Sequence, residues 1–381
     1  MPSQSINNRI ILHIGFIVPF LYRFKRGIER SCIHLANELV CQGQNVTLIA
    51  WLVPGNEKTP SPLDPRIRIV KVPYVRYYQA KWAIPFYISE FLFHPYDIVN
   101  LFYAGHGEAE ALYIARKRRS FHINFIAGYP IELVPDRYQE FRRFGLDGAL
   151  DSIIVKSPSM APSITQFFRR DVTVIPNGVD TVFFDPEQVD AETLRARFGL
   201  QMNELVLLTV AALEERKGIH IVIEALPKLM DAGFSVRYFV VGEGSYREQL
   251  ESLILRTGLS KTVHLVGEVA DVRPYYRLAD LFLLVSKGEG FPNALLEAWS
   301  MGLPTIVSKH PPYPDIIHPS IGVLVDECDI KDLSALLSDW LAAPDLRRQA
   351  SAFARTYVQE NYAWPVIARR YIKVFIKSPR V

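Results

Sequence analysis

Cysteine is scarce in this sequence, and long uncharged apolar stretches are missing from it. The chain of 381 residues has three cysteines. Cys32 and Cys41 fall on one predicted helix, and Cys328 stands apart from them. No metal-ligand spacing connects them, so we expect free thiols in a reducing compartment rather than a disulfide framework or a zinc site.

No run of about 18 uncharged apolar residues occurs, which argues against a membrane-spanning helix. The N-terminus also lacks the pattern of a signal peptide. We therefore expect a cytoplasmic protein, with the inner face of the membrane as an alternative location.

Low-complexity tracts and short repeats are absent as well. The composition, 49% hydrophobic and 22% charged, is that of a globular protein. At roughly 100–200 residues per domain, the length predicts two domains. A strand-like run at 9–18, a helix that Gly27 opens and a second strand at 45–53 form a βαβ unit. Apolar runs and helical patterns alternate along the rest of the chain, so the predicted class is α/β.

Positive charge is concentrated in the first half of the chain. Residues 1–175 hold 21 of the 43 Lys and Arg residues but 14 of the 40 Asp and Glu residues. This surplus favours an anionic partner, either a lipid-linked acceptor or an acidic membrane face. An uneven but well-solvated surface explains it equally well. A nucleic-acid partner is not expected, because no motif interleaves aromatic and basic residues.

The segment 74–93 is rich in aromatic residues. The helical spacing of Trp82, Phe86 and Phe93 predicts a buried face. The alternative is an amphipathic patch for peripheral membrane contact, in which the basic run Arg116–Arg119 would meet lipid head groups. Otherwise that run is the solvated end of a helix.

The stretch from Lys287 to Pro304 predicts a ligand site. It follows an apolar run at 281–285 that is typical of a buried parallel strand. A glycine-containing loop then leads to a helix from about Ala294, for which Asn293 is a suitable N-cap. A strand end that opens through such a loop onto a helix N-terminus is where α/β sheets bind anions.

Two carboxylates, Glu289 and Glu297, frame this predicted site and can accept hydrogen bonds from sugar hydroxyls. With G-F-P-N-A-L-L between them and G-L-P after them, the segment resembles the signature of the retaining glycosyltransferases of family 4. Two further segments match the same family, V-I-P-N-G-V-D at 174–180 and R-K-G at 216–218. The alternative is a plain strand–loop–helix unit with two solvated glutamates and an exposed lysine.

The resemblance implies the GT-B fold, two Rossmann-like doubly wound α/β domains that face each other across a cleft. It implies an N-terminal acceptor-side domain of 1–185, to which a crossover helix at 365–381 returns. Residues 186–364 would form the donor-binding domain, with 184–199 as the linker. The Asn177-Gly178 pair would be a turn.

Catalytic and donor-binding residues are also implied by the resemblance. Lys217 would neutralise the pyrophosphate of the donor as negative charge builds on the leaving group. Glu289 would hold sugar hydroxyls and stabilise the positive ring, and Glu297 would hold the ribose. The remaining donor-site candidates are Gly27, Arg216, Gly242, Val263, Leu265, Gly290, Phe291, Asn293 and Ala294. His106, in a G-H-G loop, is a candidate contact for the acceptor or sugar, with a structural role as the alternative.

The sequence departs from the family pattern at two places. The family usually has an arginine shortly before the phosphate lysine, where this chain has Ala211 and Ala212, so Arg216 is the candidate replacement. A histidine of the first domain is matched by Ala127. These departures raise the question of whether activity is reduced.

We therefore predict a retaining, metal-independent hexosyltransferase that uses a nucleotide sugar, with UDP or GDP as the nucleotide. The acceptor would be a glycan or a lipid-linked glycan in cell-surface polysaccharide or glycolipid synthesis. No cofactor or metal is expected, because no D-x-D motif occurs. The alternatives are a nucleotide-sugar-binding relative without efficient transfer, or an epimerase or phosphorylase on the same fold. The base, the sugar, the acceptor and the oligomeric state stay open.

Overall fold

The computed structural model describes residues 10–18, 21, 27–52, 62–73, 83–102, 108–143, 145, 147–326 and 330–377. The chain divides into two compact units. Unit 1 is Met1–Gly178 with Trp364–Val381, and unit 2 is Val179–Ala363. The sequence predicted the boundary between the two domains after residue 185, whereas the contacts between residues place the boundary between the units after Gly178.

Strands and helices alternate along unit 1. Up to Gly178 they are β1 (His13–Ile17), α1 (Gly27–Cys41), β2 (Asn45–Leu52), β3 (Arg68–Pro73), α2 (Ile84–Phe93), β4 (Ile98–Leu101), α3 (Glu108–Arg116), β5 (His122–Ala127), α4 (Pro135–Arg143), β6 (Ser152–Val155), α5 (Ala161–Phe168) and β7 (Thr173–Val174).

The described strands of unit 1 form one parallel sheet in the order β3-β2-β1-β4-β5-β6-β7. Alternate residues of β1 enter different cores. Ile14 and Phe16 pack on the side of α1, whereas Ile17 packs on the side of α2 and α3. Because side chains alternate across a strand, helices cover both faces of the sheet, as in a doubly wound fold.

Unit 2 repeats this alternation. Its elements are α6 (Glu192–Arg197), β8 (Leu205–Val210), α7 (Ile219–Asp231), β9 (Val236–Val241), α8 (Arg247–Arg256), β10 (Val263–Gly267), α9 (Arg273–Leu278), β11 (Leu281–Leu284), α10 (Asn293–Ser300), β12 (Thr305–Ser308), α11 (Tyr313–Ile316), β13 (Gly322–Val325), α12 (Ile330–Ala342) and α13 (Pro344–Asn361).

The described strands of unit 2 are also parallel and follow the order β10-β9-β8-β11-β12-β13. Leu207 of β8 enters a core with α7 and α12, and its neighbours Val206 and Leu208 enter one with α9 and α10. The chain runs outward in both directions from β8 and β11. These two strands therefore form the topological switch point, at whose carboxyl end such sheets bind ligands. The predicted fold class is confirmed.

The last described helix, α14 (Trp364–Ile376), belongs to unit 1. The Trp364 ring stacks on His34 of α1 at 5.8 Å, and Lys156, just after β6, donates a 2.7 Å hydrogen bond to the Tyr371 hydroxyl. A Cβ atom at Gly178 would lie 2.5 Å from the Trp364 ring. Gly178 is therefore required by close packing. Asn177 and Gly178 lie in a stretch without a turn, so the predicted Asn-Gly turn is wrong.

The predicted linker at 184–199 is part of unit 2. It contains α6, and Phe184 and Phe198 pack against the core on the α9–α10 side of the sheet. The polar residues between these two aromatic residues led to the prediction of a linker. The apolar residues among them are nevertheless numerous enough to pack a short helix against the core.

The buried face predicted for the aromatic segment is wrong for two of its residues. Phe86 and Phe93 of α2 are 54% and 74% exposed, and Trp82 lies outside the described residues. The buried face is made instead by Tyr87 and Phe91, and Phe91 packs on Phe121 with ring centroids 5.9 Å apart. The helix is apolar on more than one side, so spacing alone selected the wrong face.

No helix in the part of the chain that the structure describes is long and apolar enough to cross a bilayer. Of the three cysteines, Cys32 is buried and Cys41 is exposed, and both are free thiols. Cys328 lies outside the described residues.

Candidate active site

Two loops at the switch point of unit 2 carry opposite charges. β8 and β11 are hydrogen-bonded neighbours, so the loops that leave their carboxyl ends lie side by side. The first loop carries Lys217 and the second carries Glu289. The Lys217 ammonium donates a hydrogen bond to Glu289 Oε1 and forms an ion pair with it. Arg216 Nη1 lies 3.6 Å from Glu289 Oε2.

Backbone contacts hold the two loops together. Gly218 has a φ of +65°, and a Cβ atom there would lie 1.9 Å from the carbonyl oxygen of Val285. Only glycine fits this approach. The Lys287 N–H donates to the Arg216 carbonyl at 2.8 Å, and Arg216 Nη1 donates to the Gly288 carbonyl at 3.0 Å. The positions of Lys217 and Glu289 are therefore fixed by the main chain around them.

The ion pair is largely shielded from water. The side chains of Lys217 and Glu289 are only 12% and 11% exposed to solvent. The alternative of solvated charges is therefore wrong for both residues. Removing one partner would leave the other poorly solvated and uncompensated, so each residue needs an opposite charge or a set of hydrogen bonds close by.

Glu297 is held by a buried tyrosine. The Tyr276 hydroxyl lies 2.9 Å from Glu297 Oε2 and 3.2 Å from the Ala294 carbonyl oxygen. Burial raises the pKa of Tyr276 well above its usual value, and the charge of Glu297 adds to this effect. The hydroxyl therefore keeps its proton and acts as the donor to the carboxylate.

A second buried tyrosine lies behind the loop of Glu289. The hydroxyl groups of Ser286 and Tyr313 are 2.7 Å apart, and the Ser308 hydroxyl donates to the Ser286 carbonyl at 2.6 Å. Burial raises the pKa of Tyr313, and the negative charge of Glu289 raises it further. These hydroxyls fix the first residue of the loop, and the Tyr313 hydroxyl stays protonated beside the Glu289 charge.

The helix after the loop begins one residue earlier than predicted. Asn293 is its first residue, and Pro292 occupies the N-cap position without a side-chain cap. The Asn293 N–H donates to the Phe291 carbonyl at 3.1 Å. The prediction that Asn293 is the N-cap is therefore wrong, and in this structure its N–H is engaged within the loop. Gly290 is buried, and Ala294 lies in the first turn.

The other donor-site candidates of unit 2 lie just after β9 and within β10, where Val263 is the first residue of the strand and Leu265 the third. Gly242 follows β9 with a φ of +141°, and a Cβ atom there would lie 2.0 Å from the Ala211 carbonyl oxygen. This contact gives Gly242 a structural reason to be glycine. Val263 is buried in the core, and the carbonyl of Leu265 accepts a 3.2 Å hydrogen bond from Arg247 Nη2.

Candidates in unit 1 are less fully described. Gly27 is the first residue of α1 and is exposed. His106 lies outside the described residues. Ala127, at the position of the family histidine, is a buried strand residue at the end of β5. Within the described residues, no group of three or more His, Cys, Asp or Glu side chains could hold a metal ion.

Sequence reasoning missed the residues that orient the site. No sequence motif marks these residues, which are Tyr276, Tyr313, Ser286 and Arg247. The spacing of apolar residues around the two tyrosines is that of ordinary core residues. Their hydroxyl and guanidinium contacts depend on strand order, which a single sequence does not give.

Two parallel α/β units, the second with a charged site at its switch point, define a protein of the GT-B class. A family model described as "Glycosyl transferases group 1" matches residues 190–357. Another, described as "Glycosyltransferase Family 4", matches residues 25–183. The chain belongs to the group 1 glycosyltransferases of family 4, which confirms the resemblance.

Curated relatives cover part of the chain. It is 28% identical to the GDP-mannose-dependent monoacylated alpha-(1-6)-phosphatidylinositol monomannoside mannosyltransferase of Corynebacterium glutamicum, over 54% of this chain and 56% of that protein. It is 31% identical to the putative colanic acid biosynthesis glycosyltransferase WcaL of Escherichia coli, over 53% of this chain and 50% of WcaL. The chain thus spans about half the length of these curated relatives.

Solved structures match over nearly the whole chain. Sucrose-phosphate synthase from Thermosynechococcus elongatus has a TM-score of 0.78 and 20% identity, covering 96% of this chain and 98% of that one. Anabaena HepE, solved in complex with UDP and glucose, has a TM-score of 0.76 and 18% identity, covering 96% and 100%. At these identities the likeness shows the fold.

Proposed function

We propose that the protein is a retaining glycosyltransferase that moves a hexose from a nucleoside-diphosphate sugar to a glycan or a lipid-linked glycan. The observation that carries this proposal is the shielded Lys217–Glu289 pair at the switch point of unit 2. It places a cation and a carboxylate side by side where α/β sheets bind phosphorylated ligands. A diphosphate sugar needs both groups, one for its phosphates and one for its sugar hydroxyls.

Lys217 is the group that receives the diphosphate. Its ammonium is paired with Glu289 and can exchange that partner for phosphate oxygens when a donor arrives. Arg216, whose guanidinium also approaches Glu289, is the candidate for the second cation that Ala211 and Ala212 do not supply. Each charge-assisted contact of this kind contributes about 1.5–3 kcal/mol.

Glu289 and Glu297 act on different parts of the donor. Glu289, released from Lys217, accepts hydrogen bonds from sugar hydroxyls and stabilises the ring as positive charge develops at its anomeric carbon. Glu297, one turn into α10, accepts from the ribose hydroxyls. The Leu265 backbone in β10 and the Arg247 side chain at the start of α8, which donates to it, lie in the region that we assign to the base.

Transfer breaks the bond between the anomeric carbon and the diphosphate oxygen and forms a bond from that carbon to the acceptor oxygen. The electron pair of the broken bond leaves with the nucleoside diphosphate, and the departing diphosphate oxygen takes up the proton of the acceptor hydroxyl. Lys217 lowers the barrier because the leaving group gains negative charge beside it. We propose that this lysine performs the charge neutralisation for which other transferases use a metal, and that no cofactor takes part.

The acceptor class is proposed from the names of relatives and from charge. The names of the relatives refer to a phosphatidylinositol mannoside, colanic acid and, for LpsE of Rhizobium meliloti, the lipopolysaccharide core. These are glycolipids or cell-surface polysaccharides. The basic surplus of residues 1–175 suits an acceptor that carries phosphate or lies at an anionic surface.

An exposed patch on α2 and α3 supports peripheral contact with the inner face of a membrane. Phe86 and Phe93 of α2 are exposed, and so are Tyr113 and Ile114 of α3, which packs beside α2. Lys117 lies over the Tyr113 ring at 4.5 Å, and Arg118 and Arg119 follow as exposed cations. Apolar side chains next to cations suit a bilayer with anionic lipids. We call these seven residues the α2–α3 patch.

The same structure would also serve a nucleotide-sugar-binding protein without efficient transfer, a reading that Ala127, Ala211 and Ala212 favour. The experiment that separates the two incubates the full chain with UDP- and GDP-sugars, with and without a membrane extract, and measures released nucleoside diphosphate. Release that requires the extract supports transfer. Nucleotide-sugar binding without release of nucleoside diphosphate, both with and without the extract, supports a binding protein that does not transfer the sugar.

A further inference from the structure

Tyr276 of α9 has a fixed position in the core of unit 2. The residue is fully buried, with the Phe184 ring 6.1 Å away in an edge-to-face arrangement and the Phe282 ring 5.8 Å away. Aromatic contacts on two sides leave the ring little freedom to rotate. The direction of its hydroxyl group is therefore set by the core and not by solvent.

The hydroxyl group has one proton and two acceptors on α10. Glu297 Oε2 is 2.9 Å away and the Ala294 carbonyl oxygen is 3.2 Å away. The carboxylate is the closer and the charged acceptor, so it receives the stronger share of the donation. A buried donor that cannot turn away therefore fixes the orientation of the Glu297 carboxylate.

Orientation matters because a ribose diol presents two hydroxyl donors in a fixed geometry. A carboxylate with a fixed plane can accept from both hydroxyls, whereas a rotating one loses part of this gain to side-chain entropy. A 2′-deoxyribose lacks one of the two donors. The benefit of a fixed carboxylate is thus realised for ribonucleotides and largely lost for deoxyribonucleotides.

We propose that Tyr276 is a positioning residue that sets Glu297 for the ribose diol and so makes the site select ribonucleotides over 2′-deoxyribonucleotides. This inference rests on the proposed function, in which Glu297 binds the ribose. It adds that the selectivity depends on a hydroxyl group that does not itself touch the ligand.

Titration calorimetry of the full chain with UDP, GDP, dUDP and dGDP tests the proposal. The quantity of interest is the ratio of the dissociation constants of the deoxy and ribo forms for the base that binds more tightly. We expect this ratio to be about ten or more in the wild-type protein, since the loss of one good hydrogen bond raises a dissociation constant about tenfold. Tyr276→Phe keeps the ring and its packing and should reduce the ratio at least about threefold, with the affinity for the deoxy form unchanged.

Tyr275→Phe is the matched control. Tyr275 is the neighbouring buried tyrosine of α9 and packs on Phe239 at 6.2 Å. Its change should leave the ratio as it is. In a Glu297→Ala background, Tyr276→Phe should have no further effect on the ratio, because the tyrosine acts through the glutamate.

The possible failures are distinguishable. If Tyr276→Phe weakens both forms equally and leaves the ratio unchanged, Tyr276 only packs in the core and the inference is overturned. If the unchanged protein has no ribose preference, or if Glu297→Ala keeps the ratio, Glu297 does not bind the ribose and the proposed function loses that contact as well. A ratio that collapses in Glu297→Ala but not in Tyr276→Phe removes the positioning role alone.

Discussion

Lys217 and Glu289 are 72 residues apart in the sequence, yet their side chains form an ion pair that is nearly shielded from water. The pair exists because β8 and β11 are neighbours at the switch point and because Gly218 lets their loops touch. In the proposed reaction this contact is exchanged, with Lys217 moving to the diphosphate and Glu289 to the sugar. The predictions below follow from that exchange and from the surroundings of the pair.

Replacement of Lys217 should affect diphosphates more than monophosphates. We expect Lys217→Ala to weaken nucleoside diphosphate binding by roughly tenfold to a hundredfold, the value of one charge-assisted contact. Monophosphate binding should change much less. Calorimetry with UDP, GDP, UMP and GMP measures both effects. Lys287→Ala, which removes an exposed lysine at the start of the Glu289 loop, is the control, and equal losses for both nucleotide classes would remove Lys217 from the pyrophosphate.

The two glutamates should separate into a binding residue and a turnover residue. Glu297→Ala should weaken nucleotide binding by roughly tenfold to a hundredfold, because it removes the proposed ribose contact. Glu289→Ala should mainly slow turnover, because its contacts strengthen as charge develops on the sugar ring. Nucleotide titration and the nucleotide-release assay measure these effects separately. Glu248→Ala, an exposed glutamate of α8, is the control, and unchanged nucleotide affinity in Glu297→Ala would contradict the assignment.

The buried Lys156 should make stability depend on pH. Burial lowers the pKa of Lys156 to about 7, whereas a lysine in the unfolded chain has a pKa of about 10.4. Between these values the unfolded chain holds the extra proton, so the free energy of unfolding should rise as pH increases above about 7. The groups that face it, Cys32 and Tyr371, have raised pKa values because they are buried. Their opposing effect therefore begins only at higher pH, once the unfolded thiol ionises.

Urea unfolding at about pH 7 and about pH 8.5 measures this effect. The lower value is near the pKa of Lys156 in the folded protein, and the upper value is near the pKa of about 8.5 that a cysteine thiol has in the unfolded chain. The unchanged protein should gain stability between the two pH values, and Lys156→Met should gain clearly less. The histidines His13, His220 and His264 have lowered pKa values, so they are already neutral in this window. Equal gains in both proteins would show that Lys156 is charged in the folded state.

The α2–α3 patch should bind anionic bilayers. In sedimentation with vesicles, we expect binding to phosphatidylglycerol-containing vesicles and little to pure phosphatidylcholine. Combined replacement of Lys117 and Arg118 by Glu should reduce binding about tenfold or more, since each basic residue near an anionic surface contributes about 1 kcal/mol. Phe86→Ser with Phe93→Ser should reduce binding as well, through the lost apolar insertion.

The control for the patch uses exposed apolar residues of unit 2. Met202→Ser with Leu255→Ser removes comparable apolar surface far from the α2–α3 sequence. These changes should leave vesicle binding unaltered. A loss as large as that of the phenylalanine variant, or no loss in either patch variant, would contradict membrane contact by this surface.

Much of the fold could be predicted because buried parallel strands have a strong signal. The runs at 45–53 and 281–285 were predicted to within one residue of β2 and β11, and the helix predicted at 365–381 begins at Trp364 and ends at Ile376. The helix α13 was not predicted. Its buried residues, Ala350, Ala354 and Val358, are small, so their helical spacing gives little contrast between an apolar and a polar face.

The candidate site could be predicted as a set of residues but not as an arrangement. The glycine loop and the E-x7-E spacing indicated which residues belong to it, because those features are local. The contact between Lys217 and Glu289 depends on which strands are neighbours, and the support from Tyr276 and Tyr313 depends on core packing. The exposed face of α2 was mispredicted for a related reason, since a helix that is apolar on more than one side does not indicate which side meets the sheet.

A crystal structure of the full chain with the nucleoside diphosphate that binds more tightly tests the central claim most directly. The account predicts that the diphosphate lies within hydrogen-bond distance of Lys217 Nζ, that Glu289 is no longer paired with this lysine, and that Glu297 contacts the ribose. A nucleotide bound elsewhere, or one bound at this site with the Lys217–Glu289 pair intact, would contradict it.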